Sequence, residues 1–474
     1  MQLGLAQTDI TPRPGGLLCG QLVPPTSTGV ESRLHATALC LDDGGTRALL
    51  CVCDVVMLPN ELVARVRAAT ARATGTPPSH VVVCATHTHS GPYTAPVFGE
   101  GADAAYTRDL ETRIVETLAR SVRDARDGRL LVASGELPGY AFNRRYRMAD
   151  GTVQTHPLKG DPLIVAAEGP DSTRLDVLCA VGERGEPRGA AVAFGCHATV
   201  MPRDNTRISA DYPGRVARRV SAALGRNAPT LFLQGASGNV CQVNPRDLSR
   251  TEVGARWVRT MGDAVADKAS RLIRHRAVPA AGPLRVVSRT IMLPRRETTP
   301  DLLAWARRHR PCGERPPEVS NYGVERSGRI HPPLVSLEEL FRTPFWADFY
   351  AAEILDLERM RRRQPRVPFS ISVIAQDNWA LVALPCELFV EWGERIRAQS
   401  PFPHTLVVEL ANGENGYVPT AEAFRRPGGY ETKDLSSTFL APQAGDRIFK
   451  TVLNMLAAAH RAGSRPGRKT QKEK

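Results

Sequence analysis

The chain is 474 residues long, 42% of them hydrophobic, and it carries a formal charge of +13 at neutral pH. This length and composition allow a large buried core and exclude an intrinsically disordered protein. The positive charge would suit an acidic partner, but arginine is spread along the chain, and basic residues are concentrated only in the tail at 461–474. We therefore expect no binding to nucleic acid.

Short apolar runs alternate with amphipathic stretches along the chain, which predicts an α/β fold with some α+β character, in which mixed sheets are covered by helices. The predicted strands are 48–58, 80–85, 190–195, 230–233, 379–384 and 405–409. The predicted helices are 61–73, 104–125, 214–224, 253–275, 337–363, 388–397 and 444–461. We expect one domain over 1–462, with a Pro- and Arg-rich excursion at 295–333 and a disordered tail at 463–474.

No segment of the sequence predicts export or membrane insertion. The N-terminal stretch 1–14 has no basic segment followed by an apolar one, and nothing later approaches the roughly 18 uninterrupted apolar residues of a membrane helix. The sequence therefore predicts a cytoplasmic protein.

Cysteine usage agrees with a reducing compartment. Six of the ten cysteines lie inside apolar runs, namely Cys40, Cys51, Cys53, Cys84, Cys179 and Cys196. We interpret them as small buried hydrophobic side chains. The Cys-x-Cys pair at 51–53 could instead bind a metal, but residues two apart on a strand point the same way, which favours packing in a core.

The densest polar cluster is Thr-His-Thr-His-Ser-Gly-Pro at 86–92, directly after the apolar run 81–85. His87 and His89 are two residues apart at a strand end and point to one side, so one can bind a metal while the other meets a ligand. The Gly-Pro dipeptide that follows turns the chain away and leaves the two histidines at the edge of the sheet. Alternatively, the two histidines could be structural residues of the core or the surface whose ring nitrogens are hydrogen-bonded.

Three more candidate ligands follow apolar runs. His197 comes after the run 190–195, Glu387 ends another strand candidate, and Tyr417 follows the run that ends at Leu410. Imidazole, carboxylate and phenol groups can complete a metal site, and a metal with an open position activates water near neutral pH. The set indicates a metal-dependent hydrolase. The remaining histidines are interpreted as structural: His35, His80, His156, His275, His309, His331, His404 and His460.

These segments resemble the catalytic N-terminal part of neutral, non-lysosomal ceramidases over roughly residues 1–460. The motifs that carry the resemblance, in chain order, are THTHSGP at 86–92, Asn143-Arg144, CHAT at 196–199, ISAD at 208–211, the segment 234–239, the segment 385–387 and Asn415-Gly416-Tyr417. The resemblance implies an amidase that cleaves an N-acyl bond with zinc. It implies as zinc ligands His87, His197, Glu387 and Tyr417.

The resemblance also places His89, Arg144 and Tyr430 around the scissile amide. Histidine, arginine and tyrosine side chains can stabilise an oxyanion or transfer protons. An arginine, which is always charged, is well able to stabilise an anionic intermediate. Two points stay open at the sequence level. The segment 427–429 makes the spacing from Tyr417 to Tyr430 irregular, and Arg144 could belong to a solvated basic loop with its arginine neighbours.

Cys241 departs from the family pattern, because ceramidases carry at this place a serine that has been discussed as a nucleophile. Its thiol could attack the substrate, bind zinc or simply pack. Nearby Ser237 lacks the neighbours of a nucleophile elbow. Metal-activated water is the simpler mechanism, so packing is the interpretation we favour for Cys241.

The substrate expected from the sequence is a soluble N-acyl amine rather than ceramide. Neutral ceramidases are usually secreted or membrane-associated and carry an additional C-terminal β-sandwich, and this sequence shows neither an export signal nor such a domain. The basic tail could still attract anionic membranes. Two alternatives remain: a metal-dependent esterase or deacetylase of a small metabolite, and a non-catalytic protein that binds zinc or a ligand.

Overall fold

The computed structural model describes residues 1–21, 23–97, 100–225, 228–313 and 343–463. Within these ranges the strands are β1 (Gln2–Asp9), β2 (Gly29–Val30), β3 (His35–Asp42), β4 (Arg47–Cys53), β5 (Val81–Ala85), β6 (Arg126–Glu136), β7 (Phe142–Asn143), β8 (Arg145–Met148), β9 (Val153–Thr155), β10 (Ile164–Ala167), β11 (Arg174–Gly182), β12 (Pro187–Phe194), β13 (Arg207–Ile208), β14 (Thr230–Gln234), β15 (Val240–Cys241), β16 (Val278–Pro279), β17 (Arg285–Pro294), β18 (Arg366–Gln376), β19 (Trp379–Ala383), β20 (Glu387–Leu388), β21 (His404–Val408) and β22 (Tyr417–Val418). The helices are α1 (Asn60–Thr74), α2 (Ala104–Arg123), α3 (Asp211–Leu224), α4 (Ala255–His275), α5 (Pro300–Arg308), α6 (Pro344–Arg363), α7 (Val390–Gln399), α8 (Ala421–Arg425) and α9 (Ala444–Gly463).

Two sheets form the centre of the fold. The larger has the order β14-β12-β11-β6-β1-β3-β4-β5 with β16 beside β6, and the smaller has the order β17-β18-β19-β21. Most neighbours are antiparallel, but three pairs are parallel: β4–β5, β12–β14 and β19–β21. In each of these pairs a helix connects the two strands, namely α1, α3 and α7. Loops that follow parallel strands leave the sheet at the same edge, which is where α/β proteins place their sites.

Alternating side chains bury both faces of each sheet. In β5, Val82 points into the core between the two sheets, whereas Val81 and Val83 share a core with α1 and α2. The smaller sheet contributes Trp379 and Leu381 to the core between the sheets. Helices α3 and α4 cover another part of the larger sheet, and α7 and α9 cover the outer face of the smaller one. The result is four layers, helix–sheet–sheet–helix, in which each fully buried aliphatic side chain contributes roughly 1.5–3 kcal/mol.

The predicted fold class, mixed sheets covered by helices, is confirmed. Several predicted elements have different limits, and three of these differences have a local cause. The strand expected over 48–58 ends at Cys53 because the chain then bends, and the helix expected from 388 begins at Val390 because β20 precedes it. Helix α6 begins at Pro344, after Thr343 caps its N-terminus, and the part expected before 343 lies outside the described residues.

The cysteine pair Cys51 and Cys53 is buried on one face of β4, in the core with α1 and α2. The metal-ligand cluster found among the described residues contains neither of them. Over the same residues, no helix combines the length and the apolar character needed to cross a bilayer.

Of the excursion at 295–333, residues 295–313 are described and include α5; the remainder, like the tail from 464, lies outside the described residues. A single domain over 1–462 stays a prediction, supported by the core that the two sheets share.

Candidate metal and catalytic site

The segment after β21 joins the two edges of the larger sheet. The Asn412 amide donates to the Val83 carbonyl of β5 at 2.7 Å, and the Glu409 amide donates to the Gln234 carbonyl at the end of β14 at 2.9 Å. The carboxyl ends of β5, β14 and β21 therefore meet. The polar loops that follow these strands converge on one place.

His87 leaves β5 in a left-handed backbone conformation, with φ 66°. Such a conformation costs of order 1–3 kcal/mol for a residue other than glycine. The His87 amide donates to the Val55 carbonyl at 3.0 Å, and ring atom Nδ1 lies 2.8 Å from the Val56 carbonyl oxygen. Because a carbonyl only accepts, Nδ1 carries the proton and Nε2 is left as a free lone-pair donor facing the site.

His197 and His89 are oriented in the same way. Nδ1 of His197 donates to the Ser237 carbonyl at 2.8 Å, and Nδ1 of His89 donates to the Gly20 carbonyl at 3.0 Å. Gly20 has φ 97°, and a Cβ there would lie 2.3 Å from the His89 ring, so glycine is required. One nitrogen from each of His87, His89 and His197 lies within 4.8 Å of the others.

Glu387 completes this cluster. Its Oε2 lies 3.3 Å from Nε2 of His87 and 3.1 Å from Nε2 of His197. Parallel pairing of β20 with β22 sets Tyr417 directly beside Glu387. Gly238 lets the neighbouring loop approach, because a Cβ there would lie 2.7 Å from the Glu387 carbonyl oxygen.

Two polar atoms at the centre of the cluster have no hydrogen-bond partner among the described residues: Nε2 of His197 and Oε2 of Glu387. Both residues are almost fully buried, at 1% and 4% exposed. A buried lone pair without a donor is costly, and a cation between these atoms would satisfy both of them. The donor set of imidazoles, a carboxylate and a phenol therefore fits Zn²⁺.

The charges of the cluster are strongly coupled. Burial disfavours the charged form of His87, but the Glu387 carboxylate, the Val56 carbonyl and Glu409 together outweigh burial and raise the His87 pKa. Burial and the positive charge of Arg144 lower the pKa of His197 to about 3. Burial also lowers the pKa of His89 well below its usual value, helped by the two neighbouring histidines. His89 and His197 are therefore neutral, as ligands or proton acceptors must be.

Arg144 lies against this cluster and is only 2% exposed. Its Nη2 donates to the Gly238 carbonyl at 2.7 Å and to the Tyr417 hydroxyl at 3.2 Å. The Tyr430 hydroxyl lies 3.3 Å from that of Tyr417, and the Arg144 guanidinium lies over both rings, 5.6 Å and 5.3 Å from their centroids. The alternative of a solvated basic loop is wrong for Arg144, because its guanidinium is buried and paired with Glu431.

Cys241 lies in β15, which pairs with β7. Its side chain is 1% exposed and packs with Val243 and Val253. Burial raises the pKa of the thiol to about 12, so it is protonated at neutral pH. The metal-ligand cluster of the described residues includes no cysteine. This environment supports the packing interpretation.

Comparison with known proteins identifies the family of the chain. Residues 1–291 match the family model described as neutral/alkaline non-lysosomal ceramidase, N-terminal. The chain belongs to this family. The neutral ceramidase of Pseudomonas aeruginosa is 28% identical over 259 residues, which are 50% of this chain and 36% of that protein. The match therefore spans about a third of the length of that curated relative.

Two solved structures share the fold of the chain. One is the crystal structure of neutral ceramidase from Pseudomonas aeruginosa, with a TM-score of 0.69 and 20% sequence identity, covering 97% of this chain and 74% of that one. The other is a ceramidase complexed with C2, with a TM-score of 0.70 and 21% identity, covering 97% and 75%. The family resemblance stated from the motifs is confirmed.

The structure brings together every ceramidase-type site residue except Cys241. His87, His89, Arg144 and His197 lie within the matched range 1–291, and Glu387, Tyr417 and Tyr430 lie beyond it. The roles assigned to these residues stay predictions. The grouping differs from the prediction in two ways. His89 stands among the nitrogen donors, with its Nε2 3.3 Å from that of His87. Glu387 contacts His87 and His197 but is not part of the three-histidine cluster.

Sequence reasoning missed several residues that support the site. His156 has φ 55°, and its amide donates to the Arg144 carbonyl at 2.8 Å. Burial, together with Arg144, lowers the pKa of His156 well below its usual value. Glu409 is fully buried and Glu414 is half-buried, and the loss of contact between their carboxyl groups and water raises their pKa values to about 8 and about 7. A local signal existed only for Glu409, which directly follows the apolar strand β21.

Proposed function

We propose that the chain is a zinc-dependent amidohydrolase that cleaves an N-acyl amide bond of the ceramide type. The observation that carries this proposal is the pair of buried, unpaired atoms of His197 and Glu387, which face each other within the cluster. His87, His197, Glu387 and Tyr417 would hold the zinc ion. When bound, zinc polarises the amide carbonyl and lowers the pKa of the attacking water.

Arg144 and Tyr430 supply hydrogen-bond donors beside this position. The Arg144 guanidinium is fixed by Glu431, whose Oε1 accepts from Nε at 2.9 Å. A fixed, permanently charged donor stabilises negative charge that develops on the carbonyl oxygen, because it needs no reorganisation during the reaction. Tyr430 can donate its hydroxyl proton in the same direction.

His89 is suited to move a proton. Its Nδ1–H is held by the Gly20 carbonyl, so Nε2 is the atom that can accept a proton from the attacking water and return it to the leaving amine. The lowered pKa of this histidine keeps it neutral before the reaction. In this proposal, Arg144 and Tyr430 stabilise the negative charge on the carbonyl oxygen, and His89 transfers the proton.

The relatives are named as ceramidases, which makes a ceramide-type amide the first substrate to test. The sequence-based prediction of a soluble N-acyl amine is the competing substrate class. Turnover of a short N-acyl amine should be compared with turnover of ceramide in mixed micelles, and of an ester analogue of each. Cleavage of the esters alone would favour the esterase alternative.

Metal dependence is tested on the same preparation. Elemental analysis should find about one zinc per chain, and Glu387→Gln should lose zinc or most activity because it removes the one carboxylate of the ligand set. A chelated, metal-free preparation that keeps full activity would refute zinc dependence. Asp109→Asn on the exposed face of α2 is the matched carboxylate control, expected to keep both metal and activity.

A further inference from the structure

Glu409 has no role in the chemistry described so far, yet the oxygens of its carboxyl group accept from three buried donors. The residue is 0% exposed and directly follows β21. The Ser237 hydroxyl donates to Oε1 at 2.5 Å, and the Ser237 amide donates to Oε2 at 3.1 Å. The Leu388 amide also donates to Oε2, at 2.7 Å. One carboxylate thus connects the loop after β14 to β20.

Each of these partners is directly connected to a candidate zinc ligand, Ser237 by a hydrogen bond to His197 and Leu388 by the peptide bond to Glu387. The Ser237 carbonyl accepts the Nδ1 proton of His197 at 2.8 Å, which fixes the ring orientation and leaves Nε2 free. Leu388 is the residue after Glu387, whose Oε2 lies 3.1 Å from that Nε2. Moving either Ser237 or Leu388 therefore changes the separation of the two atoms that face each other.

Gln234 reinforces the same connection. Its Nε2 donates to the Ser237 hydroxyl at 2.7 Å and to the Cys196 carbonyl at 2.6 Å, directly before His197. Because Gln234 donates to the hydroxyl oxygen, the hydroxyl proton is directed at Glu409. The chain of hydrogen bonds runs from Cys196 through Ser237 to Leu388 without leaving the buried interior.

We propose that Glu409 is a positioning residue that sets the distance and ring orientation between His197 and Glu387, and hence the affinity of the site for zinc. This inference rests on the proposed function, in which those two residues hold the metal. Partners that hold a ligand without touching the metal typically change metal affinity 10–100-fold when they are removed. Through Ser237 and Leu388, Glu409 positions two candidate ligands at once, His197 and Glu387.

Glu409→Gln tests the proposal, because glutamine keeps the shape but replaces one acceptor oxygen by an NH₂ group. If that group faces a backbone amide, the hydrogen bond of that amide is lost. If it faces the Ser237 hydroxyl, the hydroxyl must accept instead of donate, which changes its hydrogen bond with Gln234 as well. We expect zinc affinity, measured by competition with a chromophoric chelator on the full chain, to fall roughly 10–100-fold. The visible spectrum of the Co²⁺-loaded protein should shift as well, which loss of stability alone would not cause.

Two further variants keep the test decisive. Asp176→Asn removes another buried carboxylate, which pairs with Arg174 on β11, and should keep wild-type zinc affinity. Ser237→Ala removes one of the three donors and leaves the Glu409 carboxylate in place, so a loss of a few-fold is expected. Ser237→Ala also provides the readout if Glu409→Gln does not fold.

The outcomes separate this inference from the proposed function. Wild-type zinc affinity and an unchanged Co²⁺ spectrum in every folded variant of Glu409 and Ser237 overturn the positioning role alone. A wild-type chain that binds zinc but cleaves no N-acyl substrate overturns the proposed function and leaves the positioning role to be judged on affinity. A wild-type chain that binds no zinc overturns both.

Discussion

Replacing Glu431 with glutamine removes the one negative charge that two buried guanidinium groups share. Glu431 is 0% exposed and accepts from Arg144 Nε at 2.9 Å, Arg145 Nη1 at 2.8 Å and the Thr155 hydroxyl at 2.6 Å. Arg145 keeps a second carboxylate partner in Glu168, whereas the other hydrogen bonds of Arg144 go to neutral groups. The variant therefore leaves a buried cation without a counter-charge.

Breaking a buried ion pair from one side destabilises a protein by about 3–5 kcal/mol. That is about a fifth or more of the roughly 5–15 kcal/mol by which a typical domain is stable. We expect the urea midpoint of Glu431→Gln to fall accordingly, and its turnover to fall as well because Arg144 loses its fixed position. The ion pair of Asp109 and Arg113 is the control, since it is exposed on α2 and Asp109→Asn should change the unfolding free energy by less than about 0.5 kcal/mol. Unfolding of Glu431→Gln within about 1 kcal/mol of wild type would refute the reasoning, because that is no more than a surface pair is worth.

Three more predictions concern single side chains. Cys241→Ala should keep substantial turnover, because burial raises the thiol pKa to about 12 and holds it protonated; mass spectrometry that detects an acyl group on Cys241 would contradict this. Tyr430→Phe should lower kcat by about 10²-fold with zinc content unchanged, since it removes only a donor near the reacting carbonyl; an equal loss of metal would instead make it a ligand. For Asp54, burial raises the pKa from 3.8 to about 7. Between these values the folded state binds a proton that the unfolded state lacks, so this group makes wild-type stability fall as pH rises from about 4 to 7. In Asp54→Asn the free energy of unfolding in urea should fall less steeply with pH over that range. Equal pH dependence in the variant and the wild type would exclude Asp54 as the group responsible.

The positions of the candidate metal ligands could be predicted because each follows an apolar run. His87 follows β5, His197 follows β12 and Glu387 follows β19, and all three strands belong to parallel pairs joined by a helix. Such pairs bring their carboxyl-end loops to one edge, so a local pattern was enough to indicate a shared site. The family motifs then supplied the roles, which remain to be tested.

The supporting residues could not be predicted from local patterns. Glu409 bonds to Ser237, which is 172 residues away in the chain, and Glu431 bonds to Arg144 at a separation of 287 residues. Such partners are set by which strands pair, not by spacing. Several long antiparallel strands were missed for another reason. In β17, for example, the exposed residues Ser288, Arg289 and Thr290 interrupt the apolar residues, so the strand lacks the continuous apolar run used to identify the others.

The division of the site between the two halves of the chain has a consequence during synthesis. A polypeptide emerges from the ribosome N-terminus first, and domains generally fold in that order. A nascent chain that has reached residue 291 has all three clustered histidines and Arg144, but not yet Glu387 or Tyr417. The growing protein therefore lacks the carboxylate until β20 has been made, so the candidate metal site is incomplete while the polypeptide is being translated.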